Sequence, residues 1–238
     1  SMVDNAKPKL KHNKHITISG RSKYVLGADK FILNGIDLDK FKKQGYIHLH
    51  KVIPADVLKE TRSRAIALKL KYKNRVGEPR HNGSGAFWNG LELASTLDPN
   101  LWKSYTSNFM YDISKLYLES EPYLFNDQVV VKLPDESFYF DPHYDNQFGP
   151  QGNHKTINCC WILTNMPVET GPLSCLNKST QKYDLLPANA GDIVIIEGNT
   201  LHSSTKNVSD RVRALYACVY SSQAIGKFEK GYYDEKFQ

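Results

Sequence analysis

The stretch GDIVIIEGNTLHSSTKNVSDRVRALYACVY, residues 191–220, decides the fold. It holds two apolar runs, Ile193–Ile196 and Ala214–Tyr220, too short for packed helices and rich in β-branched and aromatic residues. Gly198-Asn199 marks a turn after the first run, and a polar segment leads into the second. Reading upstream, Val129–Val131, Phe138–Phe140 and Ile157–Leu163 have the same character. Gly149, Gly152, Gly171, Gly191 and Gly198 punctuate them. Everything after Pro122 therefore reads as short strands.

The first half reads differently. Ile36, Leu38 and Phe41 precede Gly45-Tyr46-Ile47-His48-Leu49, the pattern of a short helix ending at a glycine and entering a strand. Pro54 opens a helix through Val57, Leu58, Ala65 and Leu68. Trp102, Tyr105, Phe109, Ile113 and Leu116 are spaced for one amphipathic helix from Leu101 to about Leu118. Between them, residues 74–100 are rich in Gly, Asn and Pro, a loop long enough to suggest a functional role. Helices first and strands second predict a mainly β fold with flanking α-helices, a barrel or jelly roll buttressed on one side. The expected organisation is an irregular basic segment over 1–30 and one domain over 31–238, with helical support at 36–120 and a β core at 122–220.

Composition narrows the class. A chain of 238 residues can bury a large core as one domain. The net charge of +6 and pI near 9.0 are spread over the chain, apart from lysines at 7, 9, 11 and 14 and at 71 and 73. Neither a basic stripe with stacking aromatics nor a recognisable module appears, so no nucleic-acid partner is expected. No apolar run reaches the roughly 20 residues of a membrane span. Ser1-Met2 reads as a cloning scar, and neither a secretory leader nor a C-terminal address is evident. Cys159, Cys160, Cys175 and Cys218 form no CxxC pair, and the adjacent two would face opposite ways in a strand. Reduced, mostly buried thiols in a cytoplasmic protein are the expectation.

The chemistry centres on His143-Tyr144-Asp145. In a strand, residues i and i+2 share a face, so an imidazole and a carboxylate can converge on one point inside a barrel. His202, just past the strand Ile193–Ile196 and its turn, offers a second nitrogen. Two histidines and one carboxylate cap one face of an Fe(II) octahedron and leave the other open, as oxygenase iron requires. Arg211 and Arg213 both enter the apolar strand that follows, and a buried arginine needs an anionic partner. A dicarboxylate suits the guanidinium's paired donors. Periodicity does not choose between the two arginines.

These residues resemble the phytanoyl-CoA dioxygenase family: HxD, a distal histidine, a serine two residues on and an arginine eleven on. The likeness extends to residues 39–47, Ile53-Pro54, Glu169–Leu173 with Asn177–Ser179, and Gly191–Ile193, so it spans about 36–220. It implies a double-stranded β-helix (jelly roll, cupin-like) and a non-haem iron oxygenase that consumes 2-oxoglutarate and O2, releasing succinate and CO2. The resemblance makes His143, Asp145 and His202 the iron ligands. It gives Arg213 the distal carboxylate of 2-oxoglutarate with a hydrogen bond from Ser204, and places Trp161 and Lys132 in the cosubstrate pocket. Pro142 and Tyr144 stand where the family often has tryptophan and glutamine, and Leu176–Ser179 departs from its Pro-Gly-Ser-His. Those changes touch no ligand but point to a different substrate pocket. Asp145 argues against the halogenating variant of this site.

Other residues are secondary candidates. Arg80 and His81, in a loop over 79–88, are placed to meet an acidic substrate; Tyr144 and Asn146 flank the ligands and are candidate substrate contacts. His154 is a weaker fourth ligand candidate, and His48 and His50 read as structural or exposed. The expected function is hydroxylation of a C–H bond in a small polar or anionic metabolite; the alternative is a non-catalytic jelly-roll binding module. Oligomeric state is not legible.

Overall fold

The structure, a computed structural model, describes residues 37–72, 90–92, 94–105, 107–134, 136, 139–145 and 155–223. Residues 1–36 and 73–89, with Arg80 and His81, Asn146 and His154 lie outside the described residues.

Among the described residues, ten strands form two antiparallel sheets: β1 (Tyr46–Leu49), β2 (Gly90–Glu92), β3 (Tyr123–Lys132), β4 (Phe140–His143), β5 (Thr156–Ile162), β6 (Leu173–Asn177), β7 (Lys182–Leu186), β8 (Ile193–Glu197), β9 (His202–Ser204) and β10 (Arg213–Ser221). The larger sheet runs β1-β8-β5-β10-β3-β2 and the smaller β4-β9-β6-β7. This is the double-stranded β-helix of the cupin-like jelly rolls.

Strand alternation builds two cores. On β5, Ile157, Cys159 and Trp161 join Val129 and Val131 of β3 and Ala214, Tyr216 and Cys218 of β10 on one face of the large sheet. That face is covered by Ala65 and Leu68 of the helix Ala55–Lys71 and by Phe109, Ile113 and Tyr117 of the helix Asn108–Leu118. The residues in between, Cys160, Ile162, Val130, Leu215, Ala217, Val194 and Ile196, face inward and meet Phe140, Leu173 and Cys175 of the small sheet. Burying one such aliphatic side chain contributes about 1.5–3 kcal/mol, so the two-sided strands are strongly held in register.

Three expectations need correction. The single helix expected over 101–118 is broken: helix Trp102–Tyr105 ends before helix Asn108–Leu118. Between them Ser107 is extended (φ −59°, ψ 148°), and its Oγ donates back to Ser104 O at 2.7 Å, a local bond that competes with helix continuation. The strand holding HxD stops at His143, and Asp145 lies just beyond in a turn. The short strands β6, β7 and β9 were not singled out. β7 is an edge strand with Tyr183 and Leu185 exposed, so it lacks the apolar-in, polar-out signal. The cysteines follow expectation: all four are free and buried, with Cys159 toward the helices and Cys160 inward.

Candidate metal and cosubstrate site

β4 and β9 pair so that His143 lies directly opposite His202, with ring centroids 4.3 Å apart. Two residues of β9 span the same length as three of β4 between Phe140 and His143, a register shift that contains Pro142. Proline lacks a ladder N–H, so it is tolerated at such an irregularity. The turn after His143 then brings the Asp145 carboxylate under both rings: Oδ1 lies 3.8 Å from His143 Nε2 and 3.4 Å from His202 Nε2.

The imidazoles are held from behind. His143 Nδ1 lies 2.7 Å from Asp141 O, and His202 Nδ1 lies 3.0 Å from Thr200 O. The Nδ1–H tautomers these contacts require leave both Nε2 lone pairs directed at Asp145, the usual device by which a second contact fixes a metal-binding histidine. Thr200 is itself anchored, its hydroxyl donating to Gly45 O at 2.7 Å. Gly45 has φ +88°, and a Cβ there would collide with Thr200 Oγ1, so the Gly-Tyr turn must be glycine for the loop under His202 to close. Burial and the neighbouring His202 push the His143 imidazolium down to about 4. Burial pushes the Asp145 carboxyl up, but His202 and His143 outweigh it and hold the group well below the usual range. Burial pushes the His202 imidazolium down, but Asp145 outweighs it and holds the group above its usual range, so a divalent cation taken up here would displace a proton from His202, with His143 already neutral and Asp145 ionised. All three donor atoms lie within 4.8 Å of one another, so the residues fit one Fe(II).

Asn158, facing inward on β5, was not anticipated. Its Nδ2 donates to Asp145 Oδ2 at 3.1 Å, and its Oδ1 accepts from the Cys160 thiol at 3.4 Å. The amide therefore holds one carboxylate oxygen and leaves the other for the histidines. A polar residue alternating with apolar ones in Ile157–Leu163 was the available signal. Asn158→Ala is expected to weaken Fe(II) binding about 10–100-fold, the usual cost of losing such a partner, with little change in 2-oxoglutarate affinity of the metal-saturated protein. Anaerobic metal titration checks this; unchanged Fe(II) affinity would remove Asn158 from the site.

Beyond the triad, the inward faces of β3, β9 and β10 carry a cationic patch. Arg213 and Lys132 are register partners, both buried. Arg213 Nε donates to Gly171 O at 3.2 Å, whereas its Nη1 is buried and unpartnered. No carboxylate of the described residues pairs with Arg213. Lys132 Nζ donates to Ser204 Oγ at 2.7 Å and to the carbonyls of Thr205 and Gly171. Burial pushes the Arg213 guanidinium down to about 10. Burial and the adjacent Arg213 push the Lys132 ammonium down to about 5, while three oxygens around Nζ offset that cost by matching an ammonium's three protons. A buried guanidinium with a free donor, beside a lysine amine that an incoming anion would help to protonate, makes a pocket for an anion.

Gly171 shapes that pocket. Its φ is +78°, and a Cβ would run into the carbonyl of Thr205. Gly171→Ala is expected to cost about 1–3 kcal/mol of stability and to weaken 2-oxoglutarate binding, because the carbonyl that orients Arg213 must move. Denaturant unfolding with and without cosubstrate measures both effects.

Of the other candidates, Arg211 is half exposed and pairs with Glu169 on the surface, so it stands apart from the buried Arg213. Trp161 packs in the helix-facing layer against Phe109 and Tyr216, with centroids at 5.3 and 6.1 Å. The structure thus corrects the placement of Trp161 in the pocket: its neighbours Cys160 and Ile162 face inward instead. Tyr144, between the two ligands, is 42% exposed. Gln128, inward on β3 in the same cross-strand row as Ala217 and Cys160, has a buried and unpartnered Nε2.

A jelly roll with two histidines and a carboxylate converging beside a buried cationic pocket defines the class of non-haem iron, 2-oxoglutarate-dependent oxygenases. The family model of phytanoyl-CoA dioxygenase (PhyH) matches residues 41–215, and the chain belongs to that family, with Fe(II) and 2-oxoglutarate as its cofactors. Among solved structures, the non-heme alpha ketoglutarate dependent epimerase SnoN from nogalamycin biosynthesis is 20% identical, with a TM-score of 0.66 over 79% of this chain and 82% of that one. The carbocyclase SnoK of the same biosynthesis is 19% identical, with a TM-score of 0.66 over 85% and 87%. EctD from S. alaskensis is 14% identical, with a TM-score of 0.66 over 91% and 88%. At these identities the likeness is one of fold. No curated protein matches the chain in sequence. Among the described residues no helix is long and apolar enough to cross a membrane.

Proposed function

We propose that the chain is an Fe(II)- and 2-oxoglutarate-dependent hydroxylase, a single domain over 31–238, acting on a C–H bond of a small polar metabolite. In this reading His143, Asp145 and His202 hold the iron. Arg213 grips the distal carboxylate of 2-oxoglutarate, and Lys132 and Ser204 complete the pocket. The observation that carries the reading is the buried, unpartnered Nη1 of Arg213 on the same inward face as the triad. When bound, the metal and cosubstrate supply the oxidation by O2, with succinate and CO2 released. The protein's own work is positional: Asn158 orients Asp145, the backbone carbonyls of Asp141 and Thr200 orient the imidazoles, and the apolar interior excludes water.

Gln128 supports a polar substrate. A buried amide without a partner is costly, and a ligand that accepts a hydrogen bond from Nε2 relieves the cost. Four reduced, buried thiols favour a reducing compartment, and we place the protein in the cytoplasm.

The test is a metabolite screen for succinate release dependent on Fe(II) and 2-oxoglutarate, followed by product analysis under 18O2. Hydroxylation puts one 18O atom in the product; the named relatives include an epimerase and a carbocyclase, and a product without added oxygen would replace hydroxylation by another oxidative outcome. Gln128→Leu is expected to raise KM for the substrate about tenfold or more, leaving 2-oxoglutarate affinity unchanged. A larger effect on cosubstrate than on substrate would move Gln128 to the cosubstrate pocket.

A further inference from the structure

A second group of metal-ligating side chains, sharing no residue with the first, sits where β1 ends against the turn that starts β8. His48 and His50 alternate about Leu49 and so lie on one side of the chain, their rings stacked at 4.1 Å and 27°. Asp192 faces them from the turn. Its Oδ2 lies 2.9 Å from His48 Nε2 and 3.6 Å from His50 Nδ1. We infer that His48, His50 and Asp192 form a second site for a borderline divalent cation of the Zn(II) type, separate from the oxygenase iron.

Three observations carry this. First, the carboxylate is built in rather than free. Asp192 is 1% exposed, its Oδ1 accepts from Lys51 N at 2.9 Å, and its Oδ2 accepts from Asn189 N at 3.0 Å. Lys51, next to His50, adopts φ +51°, and the N–H groups of Val52 and Ile53 both reach Gly191 O at 3.0 Å, so the two segments are clasped backbone to backbone. Second, His48 is hydrogen-bonded to Asp192 at 2.9 Å, but His50 is held beside the same oxygen without a hydrogen bond of its own to it. At 3.6 Å the His50–Asp192 contact is too long for a hydrogen bond. Ligand bonds of about 2.0–2.2 Å put neighbouring ligand atoms of a tetrahedral zinc site about 3.3–3.5 Å apart, between the two observed spacings. All donor atoms of the trio lie within 4.8 Å of one another. Third, the His50 side chain is 69% exposed, so a cation can enter and complete its coordination with water. Imidazole and carboxylate donors select zinc, copper or nickel over magnesium or calcium.

Such a cation would tie β1, an edge strand of the large sheet, to the β8 turn, and would stabilise the folded state because it binds only there. The test uses the full chain carrying His143→Ala and Asp145→Ala, which removes the first set of ligands. Zn(II) titrated by calorimetry is expected to bind with one saturable equivalent per chain and to raise Tm. Adding His50→Ala, at an exposed position that leaves the zinc-free Tm unchanged, is expected to weaken Zn(II) about tenfold or more and to remove the Tm rise. Absence of saturable Zn(II) binding in the first variant, or the same binding with His50 gone, overturns the proposal. Neither readout depends on oxygenase activity, so its failure and the failure of the hydroxylase reading are distinguishable.

Discussion

Arg213→Met is expected to raise the thermal stability of the cosubstrate-free protein and to abolish useful affinity for 2-oxoglutarate. Arg213 is 1% exposed, with one donor on Gly171 O and Nη1 unpartnered, beside the buried Lys132. Without an anion, the folded protein carries the desolvation cost of that guanidinium unrelieved. Replacing buried charges by apolar side chains of similar volume is commonly neutral or stabilising by about 1–4 kcal/mol. For a chain of this size each kcal/mol moves Tm by about 2–4 °C. In the proposed role, the same substitution would remove a bidentate pair of charge-assisted hydrogen bonds to the distal carboxylate, each worth about 1.5–3 kcal/mol. A rise of about 10²–10⁴-fold in the Kd for 2-oxoglutarate follows. Thermal unfolding with and without the cosubstrate reads both effects. The proposed role fails if cosubstrate still protects the variant as it protects the parent.

How much of this was open to the sequence depends on what carries each feature. Strands buried on both faces announce themselves as apolar runs, so β5, β8 and β10 were legible almost to their ends. Edge strand β7 was not, because none of its five side chains is buried, the apolar Tyr183 and Leu185 are among the exposed ones, and its pairing is set by β6. The ligand trio was legible from residue type and spacing, yet the route by which Asp145 reaches it was not. Alternation alone would have kept β4 running to Asp145, whereas the register shift at Pro142 ends the strand at His143 and a turn delivers the carboxylate. Trp161 shows the opposite failure. A family likeness placed it in the pocket, and its position in an alternating strand already assigned it the same face as Cys159, against the helices. Arg211 and Arg213 could not be told apart by period because residues two apart share a strand face; what separates them is that β10 begins only at Arg213.

Asp145→Ala is the counterpart of the arginine substitution and attacks the other half of the site. In the proposed role the carboxylate would supply the charge that offsets a divalent cation; its Oδ1 faces both imidazoles, at 3.8 and 3.4 Å. Removing it leaves two neutral histidines and the unpaired Asn158 amide. Fe(II) affinity should fall by more than the roughly 10–100-fold expected for loss of an outer partner, and turnover should vanish at any attainable metal concentration. Arg213 and Lys132 remain in place in that variant, since neither pairs with Asp145. The anion pocket therefore persists, and millimolar 2-oxoglutarate or succinate should still raise Tm, though less than in the metal-loaded parent. Conversely, Arg213→Met should still bind Fe(II) with parental affinity. This crossed pattern, metal lost with anion kept and anion lost with metal kept, distinguishes two adjoining sites on one inward face from a single pocket that collapses whenever either group is removed. Loss of both ligands in both variants, measured by metal titration and thermal shift, would mean that the charges hold the fold rather than the cofactors.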